Sequence, residues 1–128
     1  MKRQGSLQVL TAIAVVLVFD ACTMFPHSGP SALVGTWTNS VGTVWTIREN
    51  RTFDVDLDHD GKREAWGKYS VDGDTVTLIG SGGFMPKGCK GKGLYHFSRP
   101  EESKLQFTLV SDACKLRRKN VLTEWHRK

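Results

Sequence analysis

The chain has 128 residues, with 18 Lys and Arg against 13 Asp and Glu and a formal net charge of +5. That length holds one domain of ordinary size and excludes a second. A hydrophobic content of 39% is that of a globular chain rather than a disordered one.

The N-terminus reads as a targeting segment. Lys2 and Arg3 precede a stretch, 7–19, that is apolar except for Gln8 and Thr11. This is the length of a signal-peptide core, whereas a membrane span needs about 20 apolar residues. Residues 1–21 are therefore expected to be a signal peptide. Cys22 follows Ala21 as a lipidated cysteine follows a small residue, although Phe19 and Asp20 are unusual before it. Acylation of Cys22 is the favoured outcome, with cleavage elsewhere or an uncleaved anchor left open. Thr23, rather than an aspartate, after Cys22 resembles the outer-membrane sorting pattern of bacterial lipoproteins. Residues 22–32, with Pro26, Gly29 and Pro30, read as a flexible tether.

An exported protein rarely meets nucleic acid, so the mild positive charge of the remainder is expected on a soluble, monomeric domain. Export also bears on the cysteines. Cys89 and Cys114 stay in the folded part, where an oxidising compartment favours a disulfide between them.

From residue 33 onward, runs rich in Val, Thr, Ile and aromatics alternate with Gly, Asp and Asn. Eight short strands are expected, over 35–39, 43–48, 52–58, 64–71, 75–79, 91–98, 104–111 and 121–127. Turns are placed at Glu49, Asn50 and Arg51, at Asp60 and Gly61, and at Asp72, Gly73 and Asp74, the last two being D-G hairpin signals. Alternation puts Phe53, Val55 and Leu57 on one face and Asp54, Asp56 and Asp58 on the other. The expected core is Trp37, Trp45, Ile47, Phe53, Val55, Leu57, Trp66, Tyr69, Val76, Leu78, Phe97, Leu105, Phe107, Leu109 and Trp125. Residues 80–93 contain six glycines and Pro86 and read as a long loop tied down by Cys89. The fold class is all-β: a small antiparallel meander closing into a barrel.

Gly35, Thr36 and Trp37 open the folded part as G-x-W. With that motif, the domain 33–128 resembles a lipocalin, and more closely the short lipocalin-like domains of bacterial envelope proteins. The resemblance implies that Trp37 plugs the closed end of a barrel beneath a basic side chain from near the last strand. Arg117 is the first candidate for that cation, with Arg118 and Arg127 beside it. Tyr95-x-Phe97, Leu105-x-Phe107-x-Leu109, Asp112-x-Cys114 and a final Trp125 strand resemble the ending of small exported β-domains. Lipocalins are substantially longer, so side chains alone can fill a barrel of this size.

Asp56, Asp58, Asp60 and Gly61 spell D-x-D-x-D-G, the opening of a calcium loop. The glutamate required at position 12 of that loop is replaced by Gly67, so the solvent face of a hairpin is preferred and no metal is expected. His27, His59, His96 and His126 are scattered, and no metalloprotease motif, nucleophile elbow or phosphate-binding glycine loop is present. Neither an enzyme nor a cofactor is expected. His96 is expected to point to solvent. The basic C-terminal stretch from Lys115 reads mainly as a solvated turn, with contact to anionic lipid as the alternative.

The resemblance implies a non-enzymatic carrier of a small apolar molecule at the cell envelope, either periplasmic or held to the outer membrane by an acylated Cys22. The glycine-rich loop bearing Phe84 and Met85 would cover its mouth. The alternative is a protein-interaction module, such as an inhibitor of a periplasmic or secreted hydrolase, with the same loop touching its protein partner.

Overall fold

The computed structural model describes residues 28–128 together with Ala14 and Val15. The expected signal peptide and Cys22 lie outside the described residues, apart from those two. Within the described part, a 3-10 turn at Pro30–Ala32 leads into eight strands: β1 (Gly35–Thr38), β2 (Val44–Ile47), β3 (Thr52–Asp56), β4 (Ala65–Asp72), β5 (Thr75–Gly83), β6 (Gly93–Glu101), β7 (Lys104–Ser111) and β8 (Trp125–Arg127). One short helix, α1 (Lys115–Val121), precedes β8. Each strand pairs antiparallel with the next, and β8 returns to β1 through Trp37 opposite Arg127 and Thr38 opposite His126. The expected all-β meander thus closes into an eight-stranded barrel.

The two ends of the barrel differ because the connections alternate between them. At one end the turns are short, at 48–51, 73–74 and 102–103, and Ala32 and Leu33 are buried beneath them. Ala32 was expected in a tether but belongs to the core, so the ordered domain starts before residue 33. At the other end lie the connections 39–43, 57–64, 84–92 and 112–124. That end is the mouth.

The core is aromatic. Trp45 packs against Phe53, Phe107 and Trp125 at centroid distances of 6.0, 5.3 and 5.2 Å, and Tyr95 meets Phe107 edge-on. Such pairs contribute about 0.5–1.5 kcal/mol each beyond the area they bury. Eleven of the fifteen expected core residues are buried. Val55, Leu57 and Trp66 are only half-buried, since they sit at the rim. Leu109 is 44% exposed. The β6–β7 register shifts beside it, passing from Leu94 opposite Ser111 to Tyr95 opposite Leu109 and leaving Val110 over. Tyr95 is buried instead.

Three expected boundaries fail for identifiable reasons. Gly80, Gly82 and Gly83 were placed in a loop but belong to β5, paired with β4 across a bulge at Trp66/Gly67. Their lack of side chains admits neighbours: a Cβ on Gly82 would lie 2.6 Å from the Trp66 ring. The Asp60-Gly61 hairpin is instead part of an eight-residue connection, 57–64, because β3 stops at Asp56. The last strand loses its first half to the capping of α1 by Cys114, described below. The Asp72–Asp74 turn forms as expected with Gly73 at φ +60°, and in the 49–51 turn the left-handed residue is Arg51, at φ +69°.

Candidate functional site

At the closed end Trp37 lies under two guanidiniums, neither of them that of Arg117. Trp37 is fully buried and donates its Nε1–H to Leu33 O at 2.9 Å. The guanidiniums over its ring are those of Arg99, at 4.9 Å, and Arg127, at 4.8 Å. Arg117 is not among them. Gly35 is required here: it has φ +149°, and a Cβ on it would meet the Arg127 guanidinium at 3.3 Å. Arg99 is buried and donates to the carbonyls of Ala32, Glu101 and Glu102. Burial first, and then the nearby charge of Arg127, lowers its pKa. Sequence reasoning misses Arg99 because the expected strand stops at residue 98, whereas β6 runs on through Arg99 and Pro100 to Glu101.

Arg117 works at the mouth. Its Nε and Nη2 donate to Asp112 Oδ2 and Oδ1 at 2.6 and 2.7 Å, and Nη2 also reaches Gly91 O at 2.9 Å. The Tyr95 hydroxyl donates to the same carboxylate, and Cys114 N–H does so at 2.9 Å. Burial pushes the Asp112 carboxyl up, but its hydrogen bonds from Arg117 and Tyr95 outweigh this and hold it below the usual carboxylate range. Burial and the Asp112 charge together push the Tyr95 phenol well above its ordinary value. The cluster fits because residue 93 is glycine: a Cβ there would lie 2.5 Å from Asp112 Oδ2. Asp112 and Cys114 form the expected turn, and Cys114 Sγ accepts from Arg117 N–H to cap α1. Cys89 and Cys114 are joined as a disulfide. It ties the 84–92 loop to the start of the helix.

Between these connections lies a cavity of about 100 Å³. Trp45, Phe53, Leu78 and Trp125 line its inner part. Phe84, Met85 and Pro86 stand on one side, and the disulfide and Val121 on another. Met85 is half-buried and Phe84 is 60% exposed. The loop is anchored where it leaves β5, because Phe84 N–H donates to Glu64 O at 2.7 Å. Across the mouth, Asn39 donates to Asn120 Oδ1 and Thr123 Oγ1 at 3.1 Å each, and Thr43 donates to the same Asn120 oxygen at 2.9 Å. Trp45 is only 3% exposed. Its Nε1 is the one buried side-chain nitrogen or oxygen among the described residues with no hydrogen-bond partner.

No family model, curated protein sequence or solved structure matches this chain. Function must therefore be argued from the site itself.

The acidic loop is more compact than a hairpin face. Asp56, Asp58, Asp60 and Glu64 each bring a carboxylate oxygen within 4.8 Å of the others. Backbone N–H groups of Asp60 and Gly61 already bind Asp56, at 3.2 and 2.8 Å, and Leu57 N–H binds Glu64 at 2.5 Å. The Leu57 bond favours the charged Glu64, but burial and the negative Asp58 and Asp60 outweigh it and raise its pKa. These are the described side chains that could hold a hard divalent cation. His96 is exposed as expected, 3.0 Å from the Thr75 hydroxyl and 3.5 Å from Asp74.

Proposed function

We propose that this protein is an exported, non-enzymatic, lipocalin-like carrier whose barrel mouth takes a small, neutral, largely apolar molecule. The observation that carries this reading is the orphaned Trp45 Nε1–H beside an apolar cavity. Leaving such a donor buried and unmade costs about 1–3 kcal/mol, which a ligand oxygen that reached it would recover. Among the described residues the only charged one lining the cavity is Arg117, whose Nε and Nη2 are bound to Asp112 and Gly91. A carboxylate there would be buried against one neutral donor at high cost, so a carbonyl or ether oxygen fits better. The volume sets the scale. Sites for drug-sized ligands run from about 300 Å³ upward, and a 150 Å³ cavity holds benzene. A cavity of about 100 Å³ therefore takes the end of a ligand, with the rest lying along Phe84 and Met85.

Export is supported by the leader-like residues 1–21 and by the disulfide, which fits an oxidising compartment. Anchoring to the outer membrane rests on acylation of Cys22. A Cys22→Ala variant tests it: release from the membrane fraction with a lower mass supports acylation, and unaltered fractionation and mass refute it.

The carrier reading is tested by native mass spectrometry of protein purified gently from its own host. An added mass that leaves on denaturation supports it; a bare mass counts against it. The second reading, an inhibitor touching a hydrolase through Phe84 and Met85, rests on the exposure of Phe84. Its test is whether alanine at both positions abolishes inhibition of purified periplasmic hydrolases while leaving the fold unchanged.

A further inference from the structure

We infer that one flank of the barrel mouth, formed by the 84–92 loop and α1, is a docking surface for an anionic lipid bilayer. This goes beyond the carrier reading and does not depend on what the cavity holds.

Charge is the first ground. The 84–92 loop carries Lys87, Lys90 and Lys92, and the segment 113–123 carries Lys115, Arg117, Arg118 and Lys119, with no acidic residue in either. Arg117 is consumed by Asp112. The five lysines are exposed and Arg118 is half-buried, and none of these six cations is ion-paired with a described residue. The disulfide and the Arg117–Gly91 hydrogen bond fasten the two segments together. The six charges therefore belong to one fixed patch.

Apolar exposure is the second ground. Three connections at the mouth end each present a large apolar side chain to solvent: Val41 at 61%, Phe84 at 60% and Leu122 at 42%. The mouth-side end of β7 adds Leu109 and Val110, while the closed-end turns present none. Apolar tips set among lysines match the boundary between headgroups and acyl chains. A purely ionic partner, such as a nucleic acid or an acidic protein, would leave Phe84 unused. The acidic 57–64 connection touches the start of the 84–92 loop, where Phe84 N–H binds Glu64 O, but the strand order puts it across the barrel from the β7–β8 connection that carries α1, and the disulfide holds the lysine-bearing part of the loop to α1. Docked this way, the mouth of the cavity opens beside the lipid.

The test is co-sedimentation of the full chain with phosphatidylcholine vesicles, plain or containing about one-third phosphatidylglycerol as the anionic component. Every arm carries the same N-terminal segment, so contrasts between arms isolate the mouth. Stronger partitioning onto the anionic vesicles is expected, falling steeply as salt rises. Each well-placed cation contributes about fivefold, so Lys87→Gln/Lys90→Gln/Lys92→Gln together should lower the anionic partition by on the order of 100-fold. Phe84→Ser should lower it by about tenfold, and Lys68→Gln, on the barrel wall, should leave it unchanged. Equal partitioning onto both vesicles, or a triple variant that binds like the wild type, overturns the inference. So does complete displacement by heparin with no effect of Phe84→Ser, which would make the patch a general polyanion site. Circular dichroism of each variant separates lost binding from lost fold.

Discussion

Removing the charge of Asp112 should damage the barrel more than any surface change, because its side chain is fully buried and that of Arg117 is only 14% exposed. Asp112→Asn keeps the size and one acceptor but leaves Arg117 without its counter-charge and weakens the bonds from Tyr95 and Cys114 N–H. Breaking one side of a buried pair costs about 3–5 kcal/mol. We expect the lower end, about 3 kcal/mol, because Arg117 keeps its bond to Gly91 O. For a domain of this size each kcal/mol moves Tm by about 4–8 °C, so Tm should fall by at least about 12 °C. The assay is urea unfolding of the oxidised protein at neutral pH. Removing both charges, as Asp112→Asn/Arg117→Met, should recover most of the loss, since no uncompensated buried charge is left and the Asn oxygen still accepts from Tyr95 or Cys114 N–H. A cost below about 1 kcal/mol for Asp112→Asn, or a double variant as unstable as the single, would refute this account of the cluster.

The same cluster sets two pH limits. The folded pKa of Asp112 is lowered, so its contribution is present above the unfolded value near 4 and fades as pH falls below it. Acid sensitivity in that window should be blunted in Asp112→Asn. The Tyr95 phenol is raised, so its contribution is complete below about pH 10 and is lost above it, where the unfolded chain ionises first. Alkaline unfolding of Tyr95→Phe should lack that component. Reducing the disulfide, which spans a separation of 25 residues, should cost about 3.5 kcal/mol in the chain-entropy model, read by unfolding with and without reductant. Trp125→Phe should cost about 1–3 kcal/mol more than Trp45→Phe, because Trp125 Nε1–H donates to Val121 O whereas the Trp45 donor has no partner to lose. Chemical denaturation of the two variants checks this.

The barrel was legible because its signals are local. Period-two alternation marks Phe53 and Val55 or Leu105 and Phe107, and glycine turns such as Gly73 separate the strands. The plug motif was legible at Gly35 and Trp37. Its cations were legible only in part, since Arg127 stood among several basic residues and Arg99 was hidden beside Pro100. The assignment of Arg117 failed because charge alone does not tell a guanidinium that stacks from one that pairs. Its partner Asp112 lies in a turn, where an aspartate needs no buried role. The glycines at 80–83 read as loop because a glycine that admits Trp66 looks in sequence like one that bends a chain. The orphaned donor of Trp45 leaves no trace in sequence at all. The rings packed on Trp45 include Phe107 and Trp125, from strands β7 and β8, with which β2 does not pair.

The most direct test of the carrier reading is the Trp45 indole proton, followed by nitrogen-15 correlated NMR as a methyl ketone of medium chain length is added. Trp45→Phe assigns the signal. The account predicts a saturable downfield shift of that proton, as the ketone oxygen accepts its hydrogen bond, with the corresponding alkane binding at least about tenfold more weakly. An indole signal that stays still while neither probe binds would contradict the carrier reading. Equal binding of ketone and alkane without that shift would keep the cavity as a site but remove Trp45 from it.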